Sequence, residues 1–225
     1  MVDVTAEEAD HDEERAQLIE AIQDNLNGVY GQIADLGSEV DDYLAEYRYD
    51  EVKQSIESLS ELIASNSVDE VSELADLCAD AGDAGRAAEA HPVTDKLQIP
   101  RLLAGDLPPV AEPTGDEDYD EVVDSLRNRE GRCNDHIRKL FGCAERLWEG
   151  ATDAARLGQA RQANDAVRLL RQLPAELSTA YSLWERCLVD LYNENPAHLG
   201  EMGDMVRGFE VWLTGRQKDG SGVTD

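Results

Sequence analysis

The sequence predicts an all-α fold: an elongated helical bundle with two heptad (coiled-coil) helices and a C-terminal helical subdomain. Apolar residues recur at alternating three- and four-residue spacing over residues 19–47 and again over residues 119–147. This is the heptad pattern of helices that pack side by side. Helical spacing returns beyond residue 160, and no stretch alternates apolar and polar residues as a half-buried strand does.

The first heptad helix keeps its pattern without a break. Its seam consists of Ile19, Ile22, Leu26, Val29, Ile33, Leu36, Val40, Tyr43 and Tyr47. Three glycines (Gly28, Gly31 and Gly37) fall off the seam, and each lowers helix stability by about 1 kcal/mol relative to Ala. Because a helix with such an apolar stripe and three glycines is not expected to be stable alone, we predict that it packs against another helix.

The second heptad helix offers a partner within the same chain. Its seam consists of Tyr119, Val123, Leu126, Glu130, Cys133, Ile137, Leu140, Ala144 and Leu147. The strongest candidates for a packing or oligomer seam here are Leu126, Ile137, Leu140 and Leu147, together with the nine seam residues of the first helix. Both seams span the same number of residues, so the two helices can pack antiparallel in one chain or each can pair with its copy.

Composition divides the chain into four regions. Residues 1–82 form an acidic helical region, and residues 83–118 hold five of the seven prolines and are expected to be a linker. Residues 119–215 form a C-terminal helical region, and residues 216–225 are expected to be a disordered polar tail. Within the third region, helical spacing appears at Ala163, Val167, Leu170, Leu173, Leu177, Tyr181, Trp184, Leu188 and Leu191, and again at Leu199, Met202, Val206, Phe209 and Leu213.

The charge of the chain is strongly negative. The sequence has 49 Asp and Glu against 20 Lys and Arg, a net charge of −29, and only four of the basic residues are Lys. Abundant acid with scarce lysine is typical of cytosolic proteins of extreme halophiles. Residues 1–118 carry 31 acids and 6 bases, whereas residues 119–225 carry 18 acids and 14 bases. The two halves are therefore expected to meet different surroundings or partners.

The chain start is acidic where a secretory signal would be basic and then apolar. No apolar run reaches the 18 or so residues that a membrane span needs. We therefore expect a cytoplasmic protein, or a component of a virion, that has no membrane partner.

No motif of a known catalytic site occurs, neither a phosphate-binding Gly-rich loop nor a zinc-protease or nucleophile-elbow signature. The chain is therefore not expected to be an enzyme or to need a cofactor. Cys133, His136 and Cys143 lie on roughly one side of the second heptad helix at a spacing that zinc tolerates. Since a fourth ligand is missing, buried structural thiols are the simpler interpretation, and we expect no metal.

Four arginines are candidate contacts for phosphate groups or for an acidic partner. Arg156, Arg161, Arg168 and Arg171 lie along one helical stretch of the C-terminal half. With four phosphate contacts, the logarithm of the binding constant would fall against the logarithm of the salt concentration with a slope near −3.6. The binding constant would therefore fall by about 10⁴-fold or more between ~0.1 M and ~2 M salt. Pairing with the acidic N-terminal half is therefore favoured over nucleic-acid binding.

These observations predict a non-enzymatic helical assembly, adaptor or scaffold protein of a halophile, cellular or viral, that acts through coiled-coil oligomerisation. Its expected partner is another protein or a further copy of itself, as a homo-oligomer. The alternative is a nucleic-acid-associated regulator or packaging factor that uses its arginine-bearing C-terminal half.

The first testable prediction concerns salt. The chain has a net charge of −29, so its acidic side chains repel one another. This repulsion extends over a Debye length of ~10 Å at 0.1 M salt but of only ~3 Å at 1 M salt. Helicity is therefore expected to fall below a few tenths molar KCl, first in residues 1–118, as measured by circular dichroism across a KCl series. Full helicity in dilute buffer would contradict the halophilic interpretation.

Overall fold

The computed structural model describes the backbone of residues 4–46, 48–80, 98–110 and 119–194, with side chains over residues 11–46, 48–80, 98–110 and 121–190. These parts of the chain contain α-helices and a short 3-10 turn but no strand, so the all-α prediction is confirmed. The helices are α1 (Val4–Ala45), α2 (Tyr49–Ala64), α3 (Ser67–Asp80), α4 (Tyr119–Arg156), α5 (Ala160–Leu170) and α6 (Leu173–Glu194).

Several predicted features lie outside the described residues. They are Tyr47, residues 83–97 and 111–118 of the proline-rich region, the expected helix from Leu199 to Leu213, and the tail at residues 216–225. Residues 98–110 are irregular apart from the 3-10 turn Ala104–Asp106. There the Asp106 Oδ2 atom accepts a hydrogen bond of 2.9 Å from the backbone N–H of Leu103.

The described chain forms two compact units, each assembled from separate segments. Unit 1 comprises Met1–Asp35, Leu59–Ile99 and Gly142–Leu173, and unit 2 comprises Leu36–Ser58, Pro100–Phe141 and Pro174–Asp225. Each unit therefore combines segments of the acidic first half of the sequence with segments of the second half.

In unit 1, α4 lies against α1, and α5 packs against α3. The indole Nε1 of Trp148 on α4 donates a hydrogen bond of 3.1 Å to the backbone carbonyl of Leu26 on α1. The α3–α5 contact buries an apolar face of each helix. The buried residues of the two helices are Val68, Val71, Leu74, Ala75 and Cys78 of α3, and Ala163, Ala166, Val167 and Leu170 of α5.

The turn between α4 and α5 depends on a glycine. Gly158 has a φ of +65°, and a Cβ atom there would lie 2.9 Å from the backbone N of Ala79. A side chain at this position would both strain the backbone and collide with α3. The glycine thus allows the chain to reverse closely against the end of α3.

In unit 2, α2 and α6 bring three aromatic rings together. The ring of Trp184 on α6 lies 5.3 Å from that of Tyr49 on α2 and 5.9 Å from that of Tyr181. At the edge of the unit, Arg138 Nε on α4 lies 3.1 Å from Asp41 Oδ1 on α1. α4 therefore contacts α1 of the same chain in each unit.

The structure generates a stability prediction for the first heptad. Ile33 is 1% exposed on α1, whereas the adjacent Gln32 is exposed. Ile33→Asp places an unpaired carboxylate in the apolar interior and is expected to cost at least about 3 kcal/mol of unfolding free energy.

The matched control is Gln32→Asp, which adds the same charge at an exposed position. Its free energy of unfolding in high salt is expected to stay within about 0.5 kcal/mol of the wild-type value. Thermal unfolding followed by circular dichroism measures both variants. Equal stability of the two would mean that α1 does not bury this face.

Candidate functional site

The predicted seam residues lie mostly in the interior of the chain. Ile19, Leu36 and Tyr43 are half-buried, and Tyr47 lies outside the described residues. The buried seam residues are Ile22, Leu26, Val29, Ile33, Val40, Leu126, Ile137, Leu140 and Leu147. Their side chains pack within one chain and are not presented as a surface for a second copy.

The four predicted arginine contacts all belong to unit 1, and three of them face acceptors there. Arg171 Nη2 lies 2.6 Å from Asp69 Oδ1 on α3, and Arg168 lies 3.4 Å from Asp165. Arg156 donates to the side-chain amide oxygen of Asn27 on α1 at 2.7 Å. Arg161 is exposed. A phosphate ligand would have to compete with these partners.

Unit 2 contains a buried polar cluster that is centred on Glu130. This side chain occupies a seam position of α4 and is 7% exposed. Its Oε1 atom accepts two hydrogen bonds, one of 2.6 Å from Asn134 Nδ2 and one of 2.8 Å from Trp184 Nε1 on α6. The carboxylate thus fixes the orientation of a fully buried tryptophan and joins α4 to α6.

Burial makes the charge of this carboxylate unfavourable. Desolvation raises the pKa of Glu130 above its ordinary value of 4.5, although the hydrogen bonds from Trp184 and Asn134 and the charge of Arg138 act in the opposite direction. A raised acid pKa means that the folded protein holds the proton more tightly than the unfolded chain does. The free energy of unfolding therefore falls as the pH rises from about 4.5 through the raised pKa of Glu130.

Two cysteines lie one turn from this cluster. Cys133 on α4 and Cys187 on α6 are 0% and 1% exposed, and their Sγ atoms are 4.0 Å apart. The guanidinium of Arg129 lies beside Cys187, and its Nη1 atom donates to the backbone carbonyl of Pro108 at 3.0 Å. Unit 2 therefore places two thiols and a cation next to each other in its interior.

His136 also belongs to unit 2 and is buried. Burial lowers its pKa, and the nearby Lys139 lowers it further, while Glu176 opposes both effects. Among the described residues, no three His, Cys, Asp or Glu side chains are arranged to hold a metal ion. The thiol that contacts Cys133 belongs to Cys187 and not to Cys143, the other cysteine of the zinc interpretation.

A cleft of about 440 Å³ runs along the outer side of α4 in unit 2. Its lining residues are Pro108, Arg127, Asn128, Gly131, Arg132, Asn134, Asp135 and Arg138. Two of the three arginines already pair with carboxylates, Arg127 with Asp124 at 3.6 Å and Arg138 with Asp41 at 3.1 Å. The cleft therefore presents mixed rather than purely positive charge.

The exposed surface of α1–α3 is dominated by carboxylates. Its exposed acids are Asp12, Glu13, Glu14, Glu20, Asp24, Asp35, Glu39, Asp41, Asp42, Glu46, Asp50, Glu57, Glu61, Asp69, Glu73, Asp76 and Asp80. The exposed bases on the same helices, within the described side chains, are Arg48 and Lys53. We call residues 11–21 of α1 the acidic exposed segment, because none of its side chains is buried and it carries four of these acids.

Sequence reasoning identified Glu130 as a polar residue in an apolar seam but did not identify its partners. Trp184 and Cys187 both lie 54 residues from their contacts on α4. Neither residue carries a local motif, so no signal in the sequence could have joined them to Glu130 and Cys133.

Comparison with protein-family models, with curated proteins and with solved structures finds no significant match. Within the residues that the structure describes, no helix combines the length and the apolar character needed to cross a membrane.

The Glu130 cluster generates a pH prediction. Glu130→Gln keeps an acceptor oxygen for Trp184 and removes the buried charge, so its stability relative to wild type is expected to rise with pH. The rise begins near pH 4.5, is at most about 1.4 kcal/mol per pH unit, and ends above the raised pKa of Glu130.

Denaturant unfolding at several pH values in high salt measures this difference. Glu121→Gln, at an exposed position of α4, removes the same formal charge and is the matched control. A loss of stability in Glu130→Gln at neutral pH would show instead that Trp184 and Asn134 require the ionised carboxylate.

Proposed function

We propose that this chain is a non-enzymatic adaptor or scaffold protein of a halophilic cytoplasm or virion, and that it binds a basic protein partner through the acidic exposed segment of α1. The single observation that carries the proposal is a helical segment in which none of the described side chains is buried, next to an apolar seam that is mostly buried within the chain from Ile22 onward.

The acidic exposed segment is not expected to be helical by its own propensity. A helix of this length is marginal in water, and most helical stability in proteins comes from burying one face. Leu18 is 43% exposed and Ile19 is only half-buried, so no helix among the described residues fully covers the apolar side chains of this segment. A partner that covers Leu18 and Ile19 would supply the missing burial.

Charge favours a basic partner over a second copy. A second copy carries the same net charge of −29 and the same row of carboxylates, so self-association through this segment opposes like charges. A segment rich in Lys and Arg meets those carboxylates with opposite charge, which raises the association rate and disfavours wrong partners. Self-association through the heptad seams would require the buried faces of α1 and α4 to open first.

Nucleic-acid binding remains the alternative function. It depends on the guanidinium groups of α5 and its neighbours, of which Arg171 and Arg168 already pair with Asp69 and Asp165. Exposed carboxylates on the adjacent α3 further repel a phosphate backbone. These contacts support the adaptor proposal over the alternative.

The proposal predicts a position-dependent loss of binding. The probe is a fluorescein-labelled amphipathic peptide with Lys and Arg on one face and Leu on the other, and its anisotropy is measured across a KCl series. A triple variant that combines Glu13→Gln, Glu14→Gln and Glu20→Gln is expected to bind the peptide about tenfold more weakly. The single variant Leu18→Gln is expected to weaken binding by a similar factor. Neither variant should lower the melting temperature appreciably, because all four side chains are exposed.

The matched control carries the same three substitutions at Glu57, Glu61 and Glu73, which are also exposed. Equal losses in both triple variants would reduce the binding to general charge attraction and would overturn the proposal. Retention of duplex DNA at the same salt, lost in Arg168→Gln/Arg171→Gln, would favour the nucleic-acid alternative. Sedimentation of the wild type alone tests self-association.

A further inference from the structure

Cys133 and Cys187 are placed as a pair by two different helices of unit 2. Cys133 lies on α4 and Cys187 lies on α6, 54 residues later in the sequence. Their Sγ atoms are 4.0 Å apart, in S–H···S contact, and both side chains are buried. A disulfide requires the two sulfurs at about 2 Å, so formation of the bond requires them to approach by about another 2 Å.

Arg129 gives the pair a chemical asymmetry. Its guanidinium lies beside Cys187, and its buried Nε atom bonds no acceptor in the described part of the chain. The hydrogen bond with Cys133 and the charge of Arg129 lower the pKa of the Cys187 thiol to about 7, against the opposing effect of burial. The contact with Cys187 and burial raise the pKa of Cys133. The half-buried guanidinium hydrogen-bonds Cys187 and acts on Cys133 only through its charge, so it favours the thiolate form of Cys187.

We propose that Cys133 and Cys187 are a redox-active dithiol that forms a reversible disulfide between α4 and α6 on reaction with low-molecular-weight disulfides, with Cys187 as the attacking thiol and Cys133 as the resolving thiol. This modification site is separate from the acidic exposed segment, and it stands whether or not the proposed function is correct.

The reaction proceeds by two exchange steps. The Cys187 thiolate attacks one sulfur of the reagent RSSR, the reagent S–S bond breaks, and RS⁻ leaves with the Cys187–S–SR mixed disulfide formed. The departing RS⁻ takes the proton of Cys133. The Cys133 thiolate then attacks the Cys187 sulfur, the second RS⁻ leaves, and it takes up from solvent the proton that Cys187 released. Two electrons pass from the two cysteine sulfurs to the reagent, which ends as two RSH.

Burial decides how fast this reaction runs. With both sulfurs almost fully covered, a reagent reaches Cys187 only when α6 opens locally from α4. Such openings require less free energy than global unfolding, and they occur while the rest of a domain stays folded. The site is therefore expected to react slowly in the folded protein and to lock α6 onto α4 once oxidised.

The test uses the full chain in high-salt buffer without denaturant and bis(2-hydroxyethyl) disulfide as the probe. After an acid quench and alkylation of the remaining thiols, peptide mapping by mass spectrometry is expected to show Cys133 joined to Cys187, and dithiothreitol should reverse the bond. Because the bond closes a loop of more than fifty residues, the melting temperature should rise by roughly 5–15 °C. Disulfide formation only after addition of urea, or pairing with another cysteine, would overturn the proposal.

Three variants separate the roles of the residues. Cys133→Ala is expected to accumulate a mixed disulfide at Cys187, and Arg129→Lys to slow the first step several-fold. Cys143→Ala, a buried cysteine outside the pair, is the matched control and should oxidise like the wild type. A mixed disulfide that accumulates on Cys187 in the wild type, without resolution by Cys133, would contradict the assignment. Should a variant fail to fold, mapping of the wild-type protein still decides the outcome.

Discussion

Burial of the apolar faces of α1 and α4 inside a single chain is the constraint on which both compact units depend. Each buried Leu or Ile side chain contributes about 1.5–3 kcal/mol before conformational entropy is counted. Most of the described seam side chains of the two helices are buried, with Leu26 and Ile33 at 1% exposure, although Ile19, Leu36 and Tyr43 are half-buried. The net charge of −29 opposes this stabilisation, because repulsion between the acidic side chains destabilises the compact state to an extent that depends on ionic strength. Since domains are only about 5–15 kcal/mol stable, salt is able to decide the balance.

The buried polar cluster of unit 2 interrupts that apolar packing at one position. Glu130 occupies a seam site where a leucine would contribute more burial, and its desolvation raises its pKa. The carboxylate accepts hydrogen bonds from the Trp184 indole N–H and the Asn134 amide N–H, so neither donor is left unpaired in the interior. Polar groups in an otherwise apolar seam fix register, because any other alignment leaves them unpaired. The same register brings Cys133 opposite Cys187, so the dithiol geometry depends on the Glu130 contact one turn away.

Regular apolar spacing made the helices predictable, whereas their tertiary partners were not. The seams of Ile19–Tyr47 and of Tyr119–Leu147 correspond to α1 and α4, although α4 continues to Arg156 because Ala151 and Ala155 extend its buried face. Pro174 lies in the first turn of α6, where proline is tolerated. The cluster around Glu130 joins side chains 54 residues apart, and a spacing rule that acts over seven residues contains no information on such contacts.

The exposure of Leu18 explains why the functional proposal rests on α1. From Ile22 onward most of the seam is buried within the chain, with Leu36 and Tyr43 half-buried, whereas Leu18 is 43% exposed in a stretch of the helix that is rich in acid. Acidic side chains near a helix N-terminus interact favourably with the helix dipole, but each such contact contributes only about 0.3–1 kcal/mol. That contribution is smaller than the cost of ordering several residues, at about 1–2 kcal/mol each. The proposed partner would supply the missing burial at Leu18, and the carboxylates around Leu18 favour a basic partner by charge complementarity.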